Sequence, residues 1–246
     1  MPESGPHPAL PPPVHVPLSV IPEHPCPYLP GRRAELRAFV TQSLPTELYH
    51  EFMNAAFRRA GELFYQPICR GCRACVPIRV LVADFRPSKS QRRCRRRNAD
   101  LSCQIGPPTP TDQKFELYRR YLKARHPGPM ASDSRAGFEQ FLYNSPVQSV
   151  ELCHRDRRGR LLAVGICDIC SRSLSSVYFY FDPAESRRGL GTLGALVEID
   201  LAASLGIEHY YLGYWIAGCR SMEYKSSFRP CQFLHPDGIW RDHPPQ

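Results

Sequence analysis

Apolar and polar positions in the second half of the chain follow the pattern of short β-strands. Three runs rich in β-branched and aromatic residues predict consecutive strands, at 147–153, 161–168 and 175–182. A helix is predicted over 189–205, ended by Gly206, and a further strand over 209–214. Three strands in a meander, then a helix and a strand, predict a mixed α+β sheet flanked by helices.

The first half of the chain instead predicts helices separated by cysteine-rich and basic loops. One apolar stripe contains Leu48, Phe52 and Ala56, with Thr46 as a candidate N-cap and Gly61 just past its end. Similar stripes are centred on residues 115–122 and 138–142. We therefore expect a smaller cysteine-rich helical N-terminal region before the sheet.

These patterns divide the chain into four parts. Residues 1–20 are rich in proline and are expected to be a disordered leader. Residues 21–110 form the cysteine-rich, basic region, and 111–240 form the sheet domain with its leading helices. Residues 241–246 are expected to be a loose tail.

Composition narrows the class of protein. The net charge of +9 favours a polyanionic partner, although a generally basic surface would give the same total. The start of the chain shows no secretory signal, and no apolar run approaches the roughly 18 residues needed to span a membrane. The eleven cysteines are an odd number in a chain long enough to fold without cross-links. A reducing cytoplasm is therefore expected.

The basic charge is clustered between residues 86 and 97, where no acidic residue occurs. Arginine and lysine dominate contacts to nucleic-acid phosphates, so this strip predicts a phosphate-binding surface. A solvated basic loop is the alternative. The candidate phosphate-binding residues are Lys89, Arg92, Arg93, Arg96 and Arg97.

Three cysteines at three-residue spacing, Cys69, Cys72 and Cys75, precede this strip. Thiolates at such spacing are typical ligands of zinc or an Fe–S cluster, but a fourth ligand is needed. The alternative is a set of reduced, packed thiols that hold a loop without a metal.

A glycine turn joins the strand at 177–182 to the next helix. Gly189 and Gly191 let the backbone approach a ligand, and the helix N-terminus offers free amide donors, so they are candidate substrate-binding residues. Plain turn chemistry is the alternative. The order strand, glycine turn, helix, strand resembles the acetyltransferase-like (GNAT) fold. Ser186 replaces the glutamine or arginine usual there, which argues against a CoA donor.

Several longer motifs resemble the arginyl-tRNA–protein transferase family. They are LPTELY (44–49), the three-cysteine stretch 61–79, SKSQRR (88–93), FDP (181–183), LGT (190–192), YLGYWI (211–216) and MEYKSSFRP (222–230). The resemblance spans residues 24–235, and the short length and the segment 26–29 are most similar to the bacterial branch of the family.

That resemblance implies transfer of leucine from leucyl-tRNA to the α-amine of proteins that begin with Asp or Glu. The product would be marked for degradation by the N-degron pathway. No cofactor is required, because the aminoacyl ester is already activated. The resemblance also makes Cys26 the candidate fourth ligand of a zinc or Fe–S site with Cys69, Cys72 and Cys75.

Site residues follow from this chemistry. Asp182 is the candidate base or amine-orienting group, with a turn-capping carboxylate as the alternative. Tyr214 is a second candidate catalytic residue. Trp215 is a candidate for stacking on the terminal adenine of the tRNA or for lining the leucine pocket, and core packing is the alternative. The acceptor's carboxylate needs a cation. The candidates are Arg79, Lys225 and Arg229.

Three other functions remain open from sequence. An arginyl-tRNA donor would keep the mechanism and require an acidic residue in the donor pocket, whereas leucine requires an apolar lining. A CoA-dependent N-acetyltransferase and a metal-stabilised nucleic-acid-binding module are the others.

Overall fold

The structure, a computed structural model, describes residues 16–125 and 134–245. Most of the predicted leader, residues 1–15, lies outside the described residues, as does Gln246 of the tail. The strands are β1 (Ser19–Pro25), β2 (Arg33–Val40), β3 (Arg58–Ala60), β4 (Leu63–Pro67), β5 (Val76–Leu81), β6 (Ser102–Gly106), β7 (Ser149–Arg155), β8 (Leu161–Ile169), β9 (Ser173–Phe181), β10 (His209–Trp215), β11 (Cys231–Leu234) and β12 (Trp240–Arg241).

Helices connect or cover these strands. They are α1 (Thr46–Asn54), α2 (Lys89–Arg97), α3 (Asp112–Arg125), α4 (Arg135–Leu142), α5 (Leu190–Ser204) and α6 (Arg220–Glu223), with 3₁₀ helices over Pro183–Arg188 and Tyr224–Ser227. None of the helices in the described ranges is long and apolar enough to cross a membrane.

The strands form two sheets. A small sheet has the order β1-β2-β4-β3, and a large sheet has the order β12-β11-β5-β10-β9-β8-β7-β6. Neighbours in the large sheet are antiparallel except β9 and β10, which are parallel and joined by α5. This confirms the predicted fold class, a mixed sheet flanked by helices, and the order strand, glycine turn, helix, strand.

The large sheet is covered on both faces. Val164 and Ile166 of β8 pack in one cluster with α3 and α4, whereas Cys167 packs in another with α5. Eight of the nine residues of β8 are buried, as expected for a central strand between two layers. The small sheet and α1 share a third cluster with Tyr211 of β10, which brings the N-terminal region onto the large sheet.

The prediction of a helical N-terminal region is corrected by the small sheet. Helix α1 starts at Thr46, but Pro45 occupies the N-cap position, and the helix ends at Asn54. The chain then leads into the β3–β4 hairpin, where Gly61 has a φ of 62° and lies against Gln140 O. A Cβ there would lie 2.3 Å from that oxygen, so glycine is required at this turn.

Strands β5 and β6 fall before residue 110 in sequence but lie in the large sheet. The basic strip is helical rather than a loop. Ser88 and Gln91 form a capping box at the start of α2. This cap stabilises the helix, which buries only two of its nine residues.

Candidate functional site

A cavity lies where β9 and β10 part. The two strands pair in parallel only over Ser173–Ser175 and His209–Tyr211. The pairing of β10 with β5 then shifts register between Tyr211 and Tyr214, where Gly213 has a φ of 82°. This β-bulge turns β10 away and leaves a cavity of about 110 Å³ between the two sheets.

The cavity lining is cationic, aromatic and apolar. The small sheet and its leading loop contribute Tyr28, Arg58, Arg59 and Tyr65; the large sheet contributes Ser175, Ser176, Val177, Leu212, Gly213 and Tyr214; and Tyr49, Met222 and Lys225 complete the lining. No acidic residue occurs among these lining residues.

Arg58 is buried against this cavity, with 5% of its surface exposed. Its Nη2 donates a 3.0 Å hydrogen bond to Gly213 O. Its guanidinium carbon lies 5.2 Å from the ring centre of Tyr211 and 5.8 Å from that of Tyr214. Its Nε and Nη1 are buried and have no hydrogen-bond partner in the described structure. Such donors are costly to leave unpaired, so they are available to a ligand.

Lys225 provides a second cation. Its Nζ donates a 2.9 Å hydrogen bond to Tyr214 O. Burial and, secondarily, the charge of Arg58 lower the pKa of Lys225 to about 7. A nearby anion would favour the protonated form of this amine.

Arg59 differs from its neighbour because it is fully paired. Its Nε and Nη2 each donate a 2.7 Å hydrogen bond to Asp168, and its Nη1 donates to Gly61 O. Tyr49 and Ser149 also donate to Asp168. Burial and then the Asp168 charge raise the pKa of Tyr49, so this phenol stays protonated. The carboxylate of Asp168 is therefore occupied by hydrogen bonds within the protein and is not available to a ligand.

Burial likewise raises the pKa of the Tyr28, Tyr65 and Tyr214 phenols, which remain neutral hydrogen-bonding groups. The cavity therefore combines two cations, neutral hydroxyls and apolar walls. This chemistry suits a small anionic group.

Two of the residues predicted from sequence line this cavity, Tyr214 and Lys225. The hydroxyl of Tyr214 donates a 2.7 Å hydrogen bond to Ala56 O. Trp215, the next residue, donates from Nε1 to Glu223 O and packs on Phe233, an arrangement that matches its core-packing alternative.

Asp182 lies at the end of β9, outside the cavity lining. Its Oδ1 accepts a hydrogen bond from Ala184 N, which makes it the N-cap of the 3₁₀ helix. Its Oδ2 lies 3.5 Å from Arg120 Nη2. The capping alternative is therefore observed, and the catalytic role stays a prediction.

Arg79 lies on the same face of the large sheet as the cavity, but its guanidinium is already hydrogen-bonded to other side chains of the protein. It donates to Gln232 and Asn54, and its guanidinium carbon lies 4.3 Å from the ring centre of Trp240. Arg229 is exposed. The structure therefore brings only Lys225 of the three predicted carboxylate-binding cations into the cavity.

The glycine turn packs beneath the basic helix. Gly189 has a φ of 71° and is the N-cap of α5, with Gly191 in the first turn of that helix. The thiol of Cys94, on the buried face of α2, donates to Arg188 O and Gly189 O. The five candidate tRNA-binding residues all lie on the exposed part of the same helix.

The four candidate metal ligands are neighbours but do not form a metal site. No group of three or more potential ligands within metal-binding reach occurs among residues 16–125 and 134–245. The thiol of Cys69 is within hydrogen-bonding distance of the Glu35 backbone. Burial first, and then the other three thiols, raise the pKa of Cys75 to about 12. Because no such group occurs among the described residues, the four thiols do not provide the tetrahedral ligand set that zinc or an Fe–S cluster needs.

Sequence reasoning missed Arg58 and Arg59, which the structure places at the centre of the site. A signal was present, because two adjacent arginines interrupt an otherwise apolar stretch after α1. Buried charges of this kind must find partners, and therefore often mark a structural or functional site.

The fold and cavity together define a mixed-sheet α+β protein with a cationic site where two parallel strands part. Residues 24–93 match the family described as Arginine-tRNA-protein transferase, N terminus, and residues 113–235 match Arginine-tRNA-protein transferase, C terminus. The chain belongs to the arginine-tRNA-protein transferase family, whose members are aminoacyltransferases.

Two sequence relatives agree with this assignment. An aspartate/glutamate leucyltransferase from Thiobacillus denitrificans is 40% identical over 96% of this chain and 98% of its own length. Another from Halorhodospira halophila is 41% identical over 89% of this chain and 93% of its own. Among solved structures, L-PGS from Bacillus licheniformis is similar over 79% of this chain and 62% of that chain, with 13% identity and a TM-score of 0.48.

Proposed function

We propose that this protein transfers leucine from leucyl-tRNA to the α-amine of proteins beginning with Asp or Glu, marking them for degradation by the N-degron pathway. The relatives named aspartate/glutamate leucyltransferase support this assignment over nearly their whole length. The structural observation that carries it is the buried cationic cavity between β9 and β10, which suits an acidic acceptor.

The reaction forms an amide from an ester. The α-amine attacks the leucyl carbonyl, a C–N bond forms, and the C–O bond to the tRNA ribose breaks. The amine loses a proton and the ribose hydroxyl gains one. Because the α-amine has an ordinary pKa of about 7.7–8.0, a useful fraction is neutral near pH 7. Positioning and stabilisation of the oxyanion are therefore the main tasks, and no cofactor is proposed for the chemical step.

Residues of the cavity would perform the positioning. Tyr214 lines the cavity, and its phenol stays protonated, so we propose that it shapes the site and does not act as a base. Asp182 remains the candidate base or amine-orienting group at the end of β9. Gly189 and Gly191 would let the donor approach the start of α5.

Leucine is favoured over arginine as the transferred group. The relatives named aspartate/glutamate leucyltransferase support leucine as the transferred group. An arginyl donor would need an acidic partner for its guanidinium, and no acidic residue lines the cavity. The cationic lining instead suits the acidic acceptor.

The tRNA would bind along α2. Lys89, Arg92, Arg93, Arg96 and Arg97 are exposed on this helix. The buried face of the helix carries Cys94 against the glycine turn, so the phosphates would lie next to the start of α5. All eleven cysteines are free, which fits the cytoplasm as the proposed location.

The test offers labelled leucyl-tRNA to peptides that begin with Asp, Glu or Arg. Leucine incorporation confined to the Asp and Glu peptides is expected. Incorporation into the Arg peptide at the same rate would contradict the proposed acceptor class, and no incorporation into any peptide would contradict the transfer activity.

A further inference from the structure

Two adjacent buried arginines in β3 have opposite hydrogen-bonding states. The guanidinium of Arg59 binds both oxygens of Asp168 and one backbone carbonyl. Arg58 is 5% exposed, and its guanidinium has one backbone partner and leaves Nε and Nη1 unpaired among the described residues. A buried guanidinium is stable only when such donors are satisfied, and a carboxylate satisfies them best.

The space beside Arg58 fits a small acidic side chain. The cavity of about 110 Å³ is partly open to solvent and lies beside Arg58. Its small size and cationic lining suit the carboxylate and methylene groups of Asp or Glu. Lys225 supplies a second positive charge in the same lining.

We propose that Arg58 is the residue that recognises the acceptor, by binding the side-chain carboxylate of its N-terminal Asp or Glu, with Lys225 as the second cation. This inference rests on the proposed transfer function and specifies its acceptor site. It assigns the specificity for acidic acceptors to a residue outside the motifs that first identified the family.

The position of Arg58 is fixed by the elements that form the cavity. Its Nη2 is held by Gly213 O at the bulge of β10, and the rings of Tyr211 and Tyr214 lie within 6 Å of its guanidinium carbon, at 5.2 and 5.8 Å. An acceptor carboxylate bound to the free donors of Arg58 would therefore have a fixed position relative to the bulge. Two carbon atoms in Asp, or three in Glu, would separate this carboxyl group from the α-amine.

The experiment compares wild type, Arg58→Gln and Arg58→Lys, with Arg37→Gln as the control. Arg37 is an exposed arginine of β2 in the same small sheet. For each protein, kcat/KM is measured for peptides that differ only in their first residue, Asp or Asn. The KM for leucyl-tRNA is measured in parallel.

Arg58→Gln should lower kcat/KM for the Asp peptide on the order of 10²-fold, because one partner of a buried charge pair is lost. Its activity on the Asn peptide should change much less, so the preference for Asp over Asn should collapse. Arg58→Lys should retain part of that preference, and Arg37→Gln should retain all of it. The KM for leucyl-tRNA should stay within the wild-type range.

Two results would overturn the inference. An equal loss with both peptides would show that Arg58 supports only the fold, and a rise confined to the KM for leucyl-tRNA would show that the cavity binds the donor. If wild type transfers no leucine, the proposed function fails, and direct binding of the Asp and Asn peptides by fluorescence anisotropy still tests Arg58. Preferential Asp-peptide binding that Arg58→Gln abolishes supports the inference, and equal binding of both peptides to wild type contradicts it.

Discussion

Arg59 and Asp168 form a doubly hydrogen-bonded ion pair with both side chains fully buried. Arg59 belongs to β3 of the small sheet, and Asp168 belongs to β8 of the large sheet, 109 positions away in sequence. The pair therefore joins the two sheets beside the cavity. It also fixes the part of β3 that carries Arg58.

Asp168→Asn should destabilise the protein by about 3–5 kcal/mol, because Arg59 would keep a buried charge without its counterion. Glu208→Gln is a matched control, because Glu208 pairs with Arg172 at the surface and should contribute about 0–1 kcal/mol. Urea unfolding measures both free energies. Similar losses in the two variants would contradict the structural role assigned to the Arg59–Asp168 pair.

Replacing Arg93 and Arg96 with glutamine should weaken tRNA binding and reduce its dependence on salt. Each phosphate contact that is lost should lower the slope of log K against log salt by about 1. The measurement is a salt titration of leucyl-tRNA binding. The control variant Arg37→Gln, on the small sheet, should leave the slope unchanged. If the α2 variants also leave the slope unchanged, the tRNA surface lies elsewhere.

Asp182→Ala should lower stability by about 0.5–2 kcal/mol, because the cap of the 3₁₀ helix is lost. Asp182→Asn keeps an oxygen acceptor at this position and should restore most of that stability. The asparagine variant lacks a basic carboxylate, so the predicted catalytic role requires that it lose transfer while it still binds tRNA. If Asp182→Asn transfers leucine at the wild-type rate, the role of Asp182 is limited to capping the 3₁₀ helix.

Lys225 should make stability depend on pH. In the folded protein the pKa of Lys225 is about 7, below its ordinary 10.5, because of burial and the charge of Arg58, although the thiols of Cys75 and Cys219 act in the opposite direction. Between these two pH values the unfolded chain binds more protons, so stability rises with pH across that window.

Lys225→Met removes the buried amine and should therefore stabilise the protein more at pH 6 than at pH 10. The difference in free energy of unfolding between variant and wild type should change by at most about 1.4 kcal/mol per pH unit. Urea unfolding across this range measures it, with Lys89→Met on the exposed face of α2 as the control. A pH-independent difference would contradict the lowered pKa.

Sequence patterns predicted β7, β8, β9, β10 and α5 because these elements have clear periodicity and are bounded by turns, whereas β5, β6, β11 and β12 of the same sheet were not predicted. Strand β8 and helix α5 lie within a few residues of the predicted spans. The small sheet was not predicted because the apolar pattern of Phe52 and Ala56 continues past the end of α1 toward the β3–β4 hairpin. Ala56 adopts a left-handed backbone conformation there, which composition does not reveal.

The candidate site was predicted less completely. Lys225 and Tyr214 line the cavity, and the basic residues of α2 are exposed as expected. The two adjacent arginines were a signal in the sequence, but the unpaired donors of Arg58 could not be predicted from it. They depend on the contact between Arg58 and the bulge at Gly213, which is a property of the pairing between β5 and β10. The thiols could be counted in the sequence, but their spacing did not determine whether they reach metal-binding geometry.

The most direct test of the transfer function supplies equal amounts of labelled leucyl-tRNA and arginyl-tRNA to one peptide beginning with Asp and identifies the added residue by mass spectrometry. The relatives named aspartate/glutamate leucyltransferase predict a product that carries leucine almost exclusively. A product that carries arginine would contradict the assignment of the donor.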